Sequence, residues 1–579
     1  MPRWVSCSAS VTDPHCRICS GRLELKYPGR SEGADTDAFA PTNHRPGEHG
    51  DLWACRECGT VQQAELPEGE ELHDLYRIME DDAYLAEEAG RRATARRLLD
   101  LIARHVPAGT LLDVGCGHGL LLDEARRRGY ETTGIELSSG AAEYARDVLG
   151  LEVVEEPLET FAAGRPQGAY QVVVLADVLE HLDDPVEALA ACERLLAPGG
   201  VVCVITPNPA SRTARLAGPR WWSFVPAHKF LIPRTTLREL IESRGLVISE
   251  DVPFVRSFAL SYWVSGLAER SGVLARSLGR LGRSGLASRR VSMSLGDERV
   301  LLAHRVEVAR ANEPLMRERG GPMTVHVVLP AYRAAETIAV VARSMPLEAA
   351  DRALLVDDAS PDQTSAEALR NGLDLLRMPS NRGYGGNQKT CYVRAILDGA
   401  DAVVMVHADN QYDPALIANM VKPIEAGIAD VVMGSRLLED EAIAGGMPRW
   451  KWVGNRFLTA VENAAFNRGY SEYHTGYRAF STEFLRSIPF LRNSDGFVFD
   501  QEIFAQIVAR RARVIELPIP TRYFREASSV SFPSSVEYGL RTLGVLARYR
   551  LNRGENGRWP LLRLPAARLE ADPRRTVTR

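Results

Sequence analysis

The 579-residue sequence contains no run of about eighteen apolar residues, so no segment is expected to cross a membrane as a helix. Its opening, MPRWVSCSASVTDPHC, lacks the apolar core of a signal peptide, which gives the expectation of a cytoplasmic protein. A charge excess is lacking too. Seventy Lys and Arg stand against 75 Asp and Glu, and the formal charge of −5 gives no reason to expect a nucleic-acid partner. Nine cysteines are too few, at this length, for a disulfide framework. Four of them form two CxxC pairs, which in a cytoplasmic chain points to metal. What is present is ordinary globular material, 45% hydrophobic and 25% charged, in a chain too long for one core. Two to four domains are expected.

Residues 1–80 hold the paired cysteines. Cys16 with Cys19, and Cys55 with Cys58, each put two thiolates two residues apart, the spacing by which one tight turn offers two sulfurs to a tetrahedral zinc. Gly21 and Gly59 follow the pairs, where such turns need conformational freedom. The polar segment between the pairs reads as a surface insertion, and His15, His44 and His49 are substitute ligands only in principle. Four sulfurs leave no open position, so the expected zinc is structural.

Residues 85–312 read as a nucleotide-type α/β domain. Arg91 to His105 has the pattern of an amphipathic helix, with Leu98, Leu99, Leu101 and Ile102 inward. TLLDVGCGHGLLLDEARRRG then gives a strand, a turn with Gly115, Gly117 and Gly119, and a helix, while a second strand, ETTGIEL, ends in Glu136. An acid at that strand end is placed to hold ribose hydroxyls. LLDVGCGHG with Asp113 before the first glycine, LADVLEHL with Asp177, and LAPGG at 196–200 together resemble class I S-adenosylmethionine-dependent methyltransferases. The resemblance implies that Gly115, Gly117, Gly119 and Glu136 bind the cofactor, with Asp113 and Asp177 nearby. His181 and His228 follow the fourth and fifth strands and are candidate general bases, or else pocket-lining residues. Residues 256–290 carry seven arginines against one acid and suit either an anionic membrane surface or a solvated lid. GDERVLLAHRV is expected to close the sheet.

A charged linker ending in Gly-Gly-Pro, 313–323, leads to a second α/β domain at 324–552, and the prolines and charges of 553–579 predict a disordered tail. Three apolar strands in the second domain end in polar groups: Pro330 and Tyr332 after the first, Asp357 and Asp358 after the next, and His407, Asp409 and Gln411 after Val403 to Val406. Alternating strands and helices imply a mostly parallel sheet with ligands at the strands' carboxyl ends. Three donors within five residues suit a divalent cation, and a cation suits a diphosphate. LPAY at 329–332, VDDASPDQT at 356–364, NRGYGGNQ at 381–388, HADNQYDP at 407–414 and GSR at 434–436 resemble glycosyltransferase family 2, of the GT-A fold. SEYHTGYRAF at 471–480 and FVFDQEI at 497–503 add to the match, and the branch containing dolichyl-phosphate mannose synthase is the nearest in pattern. The resemblance implies that Pro330, Tyr332, Asp357, Asp358, Gly385 and Arg478 bind the nucleotide-sugar. Asp409, Gln411 and, in place of the usual first acid, His407 would hold Mg2+ or Mn2+, unless His407 merely packs under the nucleotide. Asp500 stands at the position of the general base. A hydroxyl acceptor would give its proton to Asp500, whereas a polyprenyl phosphate needs no base. Arg522 and Arg525 are further candidates to hold phosphate.

The expected fold class is α/β: two doubly wound domains, Rossmann-like and GT-A, preceded by a small zinc-ribbon-like module. The expected function is bifunctional, a methyltransferase joined to an inverting glycosyltransferase in glycan, polysaccharide or glycolipid assembly. The partners are a nucleotide-sugar donor and a sugar, lipid-phosphate or glycan acceptor. The alternative is an active glycosyltransferase whose first half only binds. Peripheral contact with the inner face of a membrane is expected at most.

Overall fold

The computed structural model describes residues 15–29, 49–63, 68–78, 84–263, 289–316, 323–438, 447–520, 532–552, 559–567, 569 and 570. The polar insertion with His44, most of the arginine-rich stretch, Arg522, Arg525 and most of the tail lie outside these residues. The chain divides into two units, Met1–Ile241 with Ile248–Arg305, and Glu242–Val247 with Val306–Arg579. Among the described residues no helix is long and apolar enough to cross a membrane.

The first unit contains a seven-stranded sheet. Its centre is four parallel strands, β4 (Gly109–Val114), β5 (Tyr130–Ile135), β7 (Tyr170–Ala176) and β8 (Leu196–Pro207), flanked by β6 (Glu152–Val154), β10 (Leu246–Pro253) and β13 (Glu298–Arg305). The order is β10-β13-β8-β7-β4-β5-β6. Val172 to Leu175 and Val201 to Ile205 are wholly enclosed, as continuous apolar runs in a sheet covered on both faces must be. The predicted helix runs over Glu88–Ile102, with Leu98, Leu99 and Ile102 buried and Leu101 half-buried. The strand expected to close the sheet does not lie at its edge: β13 pairs antiparallel with β8 and has β10 outside it.

The cysteine region is not a free-standing module. Strands β1 (Leu23–Tyr27), β2 (Leu52–Cys55) and β3 (Val61–Gln63) form an antiparallel sheet, which β9 (Phe230–Leu231) extends from 170 residues further along the chain. The Gln63 side-chain amide donates to the carbonyls of Val225, Pro226 and His228, at 3.1, 3.2 and 2.7 Å. Buried carbonyls must be satisfied, and one glutamine here serves three.

The second unit is an eight-stranded mixed sheet, ordered β14-β17-β16-β15-β18-β20-β19-β21. Strands β15 (Val325–Ala331), β16 (Arg352–Asp357), β17 (Asp374–Arg377) and β18 (Ala402–Met405) are parallel. Strands β19 (Val431–Ser435) and β21 (Val514–Pro518) pair parallel at one side, and β14 (Val308–Ala309) pairs antiparallel with β17 at the other. The expectation of a mostly parallel sheet misses β20 (Arg478–Ser481), which runs antiparallel between β18 and β19. Its reversal sets Arg478 opposite Met405, at the end of the strand that leads to His407.

The helix Tyr384–Leu397 packs by its first turn against the loop 494–496. A Cβ on Gly385 would lie 2.3 Å from the Ser494 carbonyl oxygen and 2.8 Å from Phe499 Cβ. Gly385→Ala is therefore expected to destabilise the protein by about 2–3 kcal/mol in urea unfolding, whereas a change below about 0.5 kcal/mol would show that this loop gives way.

Candidate active sites

The four cysteine sulfurs converge. All lie within 4.8 Å of one another, with Cys16 Sγ 3.6 Å from Cys58 Sγ and Cys19 Sγ 3.4 Å from Cys55 Sγ. Zinc–sulfur bonds of about 2.3 Å would set tetrahedral sulfurs about 3.8 Å apart, so the cluster fits that ion with little movement. Hydrogen bonds from Cys16, Cys19 and Cys58 pull the Cys55 thiol far below its usual range. Gly59 has φ 76°, as expected, but after the first pair Ser20 takes the positive φ of 59°. Gly21 is required for space instead, since a Cβ there would lie 2.9 Å from Glu57 Cγ. His49 is not part of the four-sulfur group; its Nδ1 lies 2.7 Å from the Gly50 carbonyl.

A cavity of about 1310 Å³ opens at the carboxyl ends of β4, β5 and β7. Gly115, Gly117, Glu136, Asp177, His181 and His228 line it. Glu136 closes β5 and accepts the Gly117 amide at 2.7 Å and the Ser138 amide at 2.8 Å, so one carboxylate shapes the glycine turn. Burial raises its pKa against those two amides. Gly115 and Gly117 have φ of 66° and 54°, which only glycine adopts freely. Asp177, itself at φ 58°, is held by Arg256 at 2.6 Å, and Arg256 also grips Glu298 at 2.7 Å. Burial lifts Glu298 to about 7 even so.

Two of the expected cofactor residues do not reach the wall. Asp113 is 4% exposed beneath the turn, and Gly119 caps the helix Leu120–Arg126 against Leu151. Both act from behind the turn, Asp113 within β4 and Gly119 at the start of the helix. Burial, followed by the Glu136 charge, raises Asp113 to about 8. Nothing in spacing alone pointed to Tyr76, whose hydroxyl lies 2.9 Å from His181 Nδ1. Burial lowers His181 to about 3 and His228 to about 4, so both imidazoles are neutral at pH 7. The cavity wall and the glycine turn suit a nucleoside-bearing cofactor.

In the second unit the strand ends converge as expected, but several residues face inward. Asp358 accepts the amides of Arg382 and Gly383 at 2.7 and 2.9 Å, and Asp357 accepts the Ser360 amide at 2.9 Å and the Ser365 hydroxyl. Both are buried. They hold the loops that would border a nucleotide, instead of presenting free oxygens to it. Pro330 is half-buried within β15, and Tyr332 beyond it is 48% exposed and open to a ligand. Gly385 serves packing, as above. Arg478 is fully enclosed, spending Nη1 on Asp500 at 2.7 Å and Nη2 on the Tyr473 carbonyl at 3.3 Å, so it cannot reach out as a phosphate clamp.

Asp500 begins the buried helix Phe499–Ala509. Its other oxygen accepts the Tyr384 hydroxyl at 3.0 Å, and that hydroxyl lies 3.4 Å from His407 Nε2. Tyr384 thus joins the altered metal motif to the Asp500–Arg478 pair; its place in NRGYGGNQ was the available signal. His407 is turned toward Gly476, where a Cβ would lie 2.2 Å from its Nε2. Asp409 accepts the Gln411 amide at 3.1 Å and remains half-exposed. Asp409 is thus placed to offer a carboxylate oxygen to a cation, while His407 Nε2 is directed at Gly476. Asp413 caps the short 3-10 turn Pro414–Leu416, its side chain accepting the Ala415 amide.

Residues 86–250 match the family model described as a methyltransferase domain, and residues 326–488 match glycosyl transferase family 2. The chain joins a methyltransferase domain to a family 2 glycosyltransferase domain. The low-salt glycan biosynthesis hexosyltransferase Agl6 of Haloferax volcanii is 31% identical over 215 residues, which are 34% of this chain and 50% of that protein. A ubiquinone biosynthesis O-methyltransferase of Saccharophagus degradans is 32% identical over 153 residues, 24% of this chain and 64% of that protein. Among solved structures, glucosyl-3-phosphoglycerate synthase of Mycobacterium tuberculosis is 18% identical, covers 40% of this chain and 79% of its own, and has a TM-score of 0.33. A SAM-dependent methyltransferase of Archaeoglobus fulgidus is 21% identical, with 39% and 100% covered and a TM-score of 0.27.

The methyltransferase domain carries a stability cost with a definite pH dependence. Asp113 titrates near 8 when folded and near 3.9 when unfolded, so between these values the folded state holds the extra proton and stability falls as pH rises. Asp113→Asn removes that cost. Its melting temperature is expected to exceed the parent's by several degrees at pH 8 and by little at pH 4.5; an equal difference at both values would show that Asp113 is already ionised.

Proposed function

We propose that the chain is a bifunctional transferase of glycan, polysaccharide or glycolipid assembly. The first domain moves a methyl group, and the second transfers a sugar with inversion from a nucleotide-sugar. The observation that supports this best is the presence in one chain of a glycine-turn cavity with Glu136 on its wall and a metal-type strand end at Asp409. The hexosyltransferase similarity adds the glycan context.

In the methyltransferase domain, Gly115, Gly117 and Glu136 would hold S-adenosylmethionine, with Asp177 beside them. When bound, it supplies an electrophilic methyl group. Neutral His181 and His228 face the acceptor side of the cavity, where each can take a proton from an oxygen or carbon acceptor. The cysteine cluster would hold a structural zinc, and through Gln63 it sets the loop that carries His228.

In the glycosyltransferase domain, Asp409, with Gln411 beside it, would hold Mg2+ or Mn2+ against the donor diphosphate, where a cation stabilises the charge of the leaving group. Both oxygens of Asp500 are engaged, one by Arg478 and one by Tyr384. This favours a lipid-phosphate acceptor, which needs no base, and a positioning role for Asp500.

Two measurements test these assignments. Titrating S-adenosylmethionine into the purified chain is expected to show one site, weakened at least about tenfold in Glu136→Ala, a loss of about 1.4 kcal/mol; absence of binding to the parent would leave the first domain as a binding module. Hydrolysis of a nucleotide-sugar panel with Mn2+ is expected to fall at least about a hundredfold in Asp409→Ala and far less in His407→Asn. Equal losses in the two variants would restore His407 as a ligand.

A further inference from the structure

We propose that Glu180, His181 and His228 form a divalent-metal site on the acceptor side of the methyltransferase cavity, separate from both the cysteine cluster and Asp409. Each offers one ligand atom, and the three atoms lie within 4.8 Å of one another. All three residues line the cavity.

The hydrogen bonds around the imidazoles leave the right atoms free. His228 Nδ1 lies 2.8 Å from the Ser223 carbonyl, and His181 Nδ1 lies 3.2 Å from the Ala227 carbonyl. A carbonyl only accepts, so His228 Nδ1 carries the hydrogen and its Nε2 keeps its lone pair; for His181, the tautomer that donates Nδ1–H to the Ala227 carbonyl and the Tyr76 oxygen likewise leaves Nε2 bare. A ring N–H tied to a backbone carbonyl, with the opposite nitrogen bare, is the arrangement that orients a metal-bound histidine. Tyr76 adds a second anchor at His181 Nδ1.

Glu180 supplies the independent observation. It is 1% exposed, and neither carboxylate oxygen makes a hydrogen bond of normal geometry, with the Thr206 hydroxyl giving only weak stabilisation. A buried carboxylate without a partner is costly, and a cation between it and two imidazoles removes the cost. The backbone is pre-set as well. The Glu180 carbonyl accepts the amides of Lys229 at 2.8 Å and Phe230 at 3.1 Å, so the two ligand-bearing segments are joined beside the site.

Two nitrogens and one oxygen suit Zn2+, Co2+ or Mn2+, and three protein ligands leave positions open. With both Nε2 lone pairs on a metal, His181 and His228 would no longer accept a proton themselves; the metal would instead bind an acceptor oxygen and favour its deprotonated form. The acceptor class is then an oxygen nucleophile able to chelate, such as a vicinal diol or a hydroxyl beside a carbonyl. Metal binding is independent of the methyl-transfer reading, and only this acceptor class rests on it.

The experiment is a Co2+ titration of the full chain after chelation, read by metal analysis and by visible absorption, for the parent, Glu180→Gln, His228→Gln and the Asp409→Ala control. The parent is expected to bind one equivalent more than either site variant, and the lost spectrum should have nitrogen and oxygen character while the thiolate band stays; Asp409→Ala is expected to keep that nitrogen–oxygen spectrum. Equal stoichiometry and spectra in parent and site variants, with all proteins folded by circular dichroism, would overturn the proposal and leave Glu180 as a protonated acid. S-adenosylmethionine binding is measured on the same samples. Its absence from all of them, with the metal difference intact, would sink the methyltransferase reading alone.

Discussion

A carboxylate at the end of a buried parallel strand has no water to solvate it, so the loop that follows must supply its partners. Both domains are arranged by this demand. Glu136 ends β5 and draws in the amides of Gly117 and Ser138, which folds the glycine turn of the neighbouring strand over the cavity. Asp358 follows β16 and draws in the amides of Arg382 and Gly383, which fixes the entry to the helix Tyr384–Leu397. In each case the acid builds the ligand site by organising the backbone around it. Motif acids of this kind are as much loop architecture as ligand contacts.

The same demand links the cysteine cluster to the methyl-transfer cavity. Gln63 satisfies three carbonyls of the segment 225–228, and β9 continues the cysteine sheet two residues later. The placement of His228 therefore depends on a sheet whose turns are held by four sulfurs. A structural zinc would steady that segment at a distance, through ordinary hydrogen bonds.

In the glycosyltransferase domain the enclosed Arg478–Asp500 pair plays the corresponding part. A buried ion pair contributes little net stability against its hydrophobic replacement, but breaking it leaves one charge stranded, at a cost of about 3–5 kcal/mol. Its geometry is therefore stiff. Through Tyr384 that stiffness reaches His407, and so the strand end where a cation would sit.

Much of this could be read from the residues. The period of the apolar runs, the glycines after β4, the acid after β5 and the paired cysteines each follow from local chemistry, and they carry the α/β class and the two family resemblances. Sequence could not show which way a side chain faces, since that depends on the strand or loop packed against it. Arg478 reads as a phosphate clamp until β20 is seen to run antiparallel and bury it; Gly385 reads as a ligand contact until Ser494 is found against it. His181, next to Glu180, and His228, 47 positions further on, come together only because the Glu180 carbonyl binds the strand that follows His228. Local sequence determined the elements and their chemistry, while long-range pairing decided which polar atoms would meet, because each buried group must find its partner wherever the fold brings one.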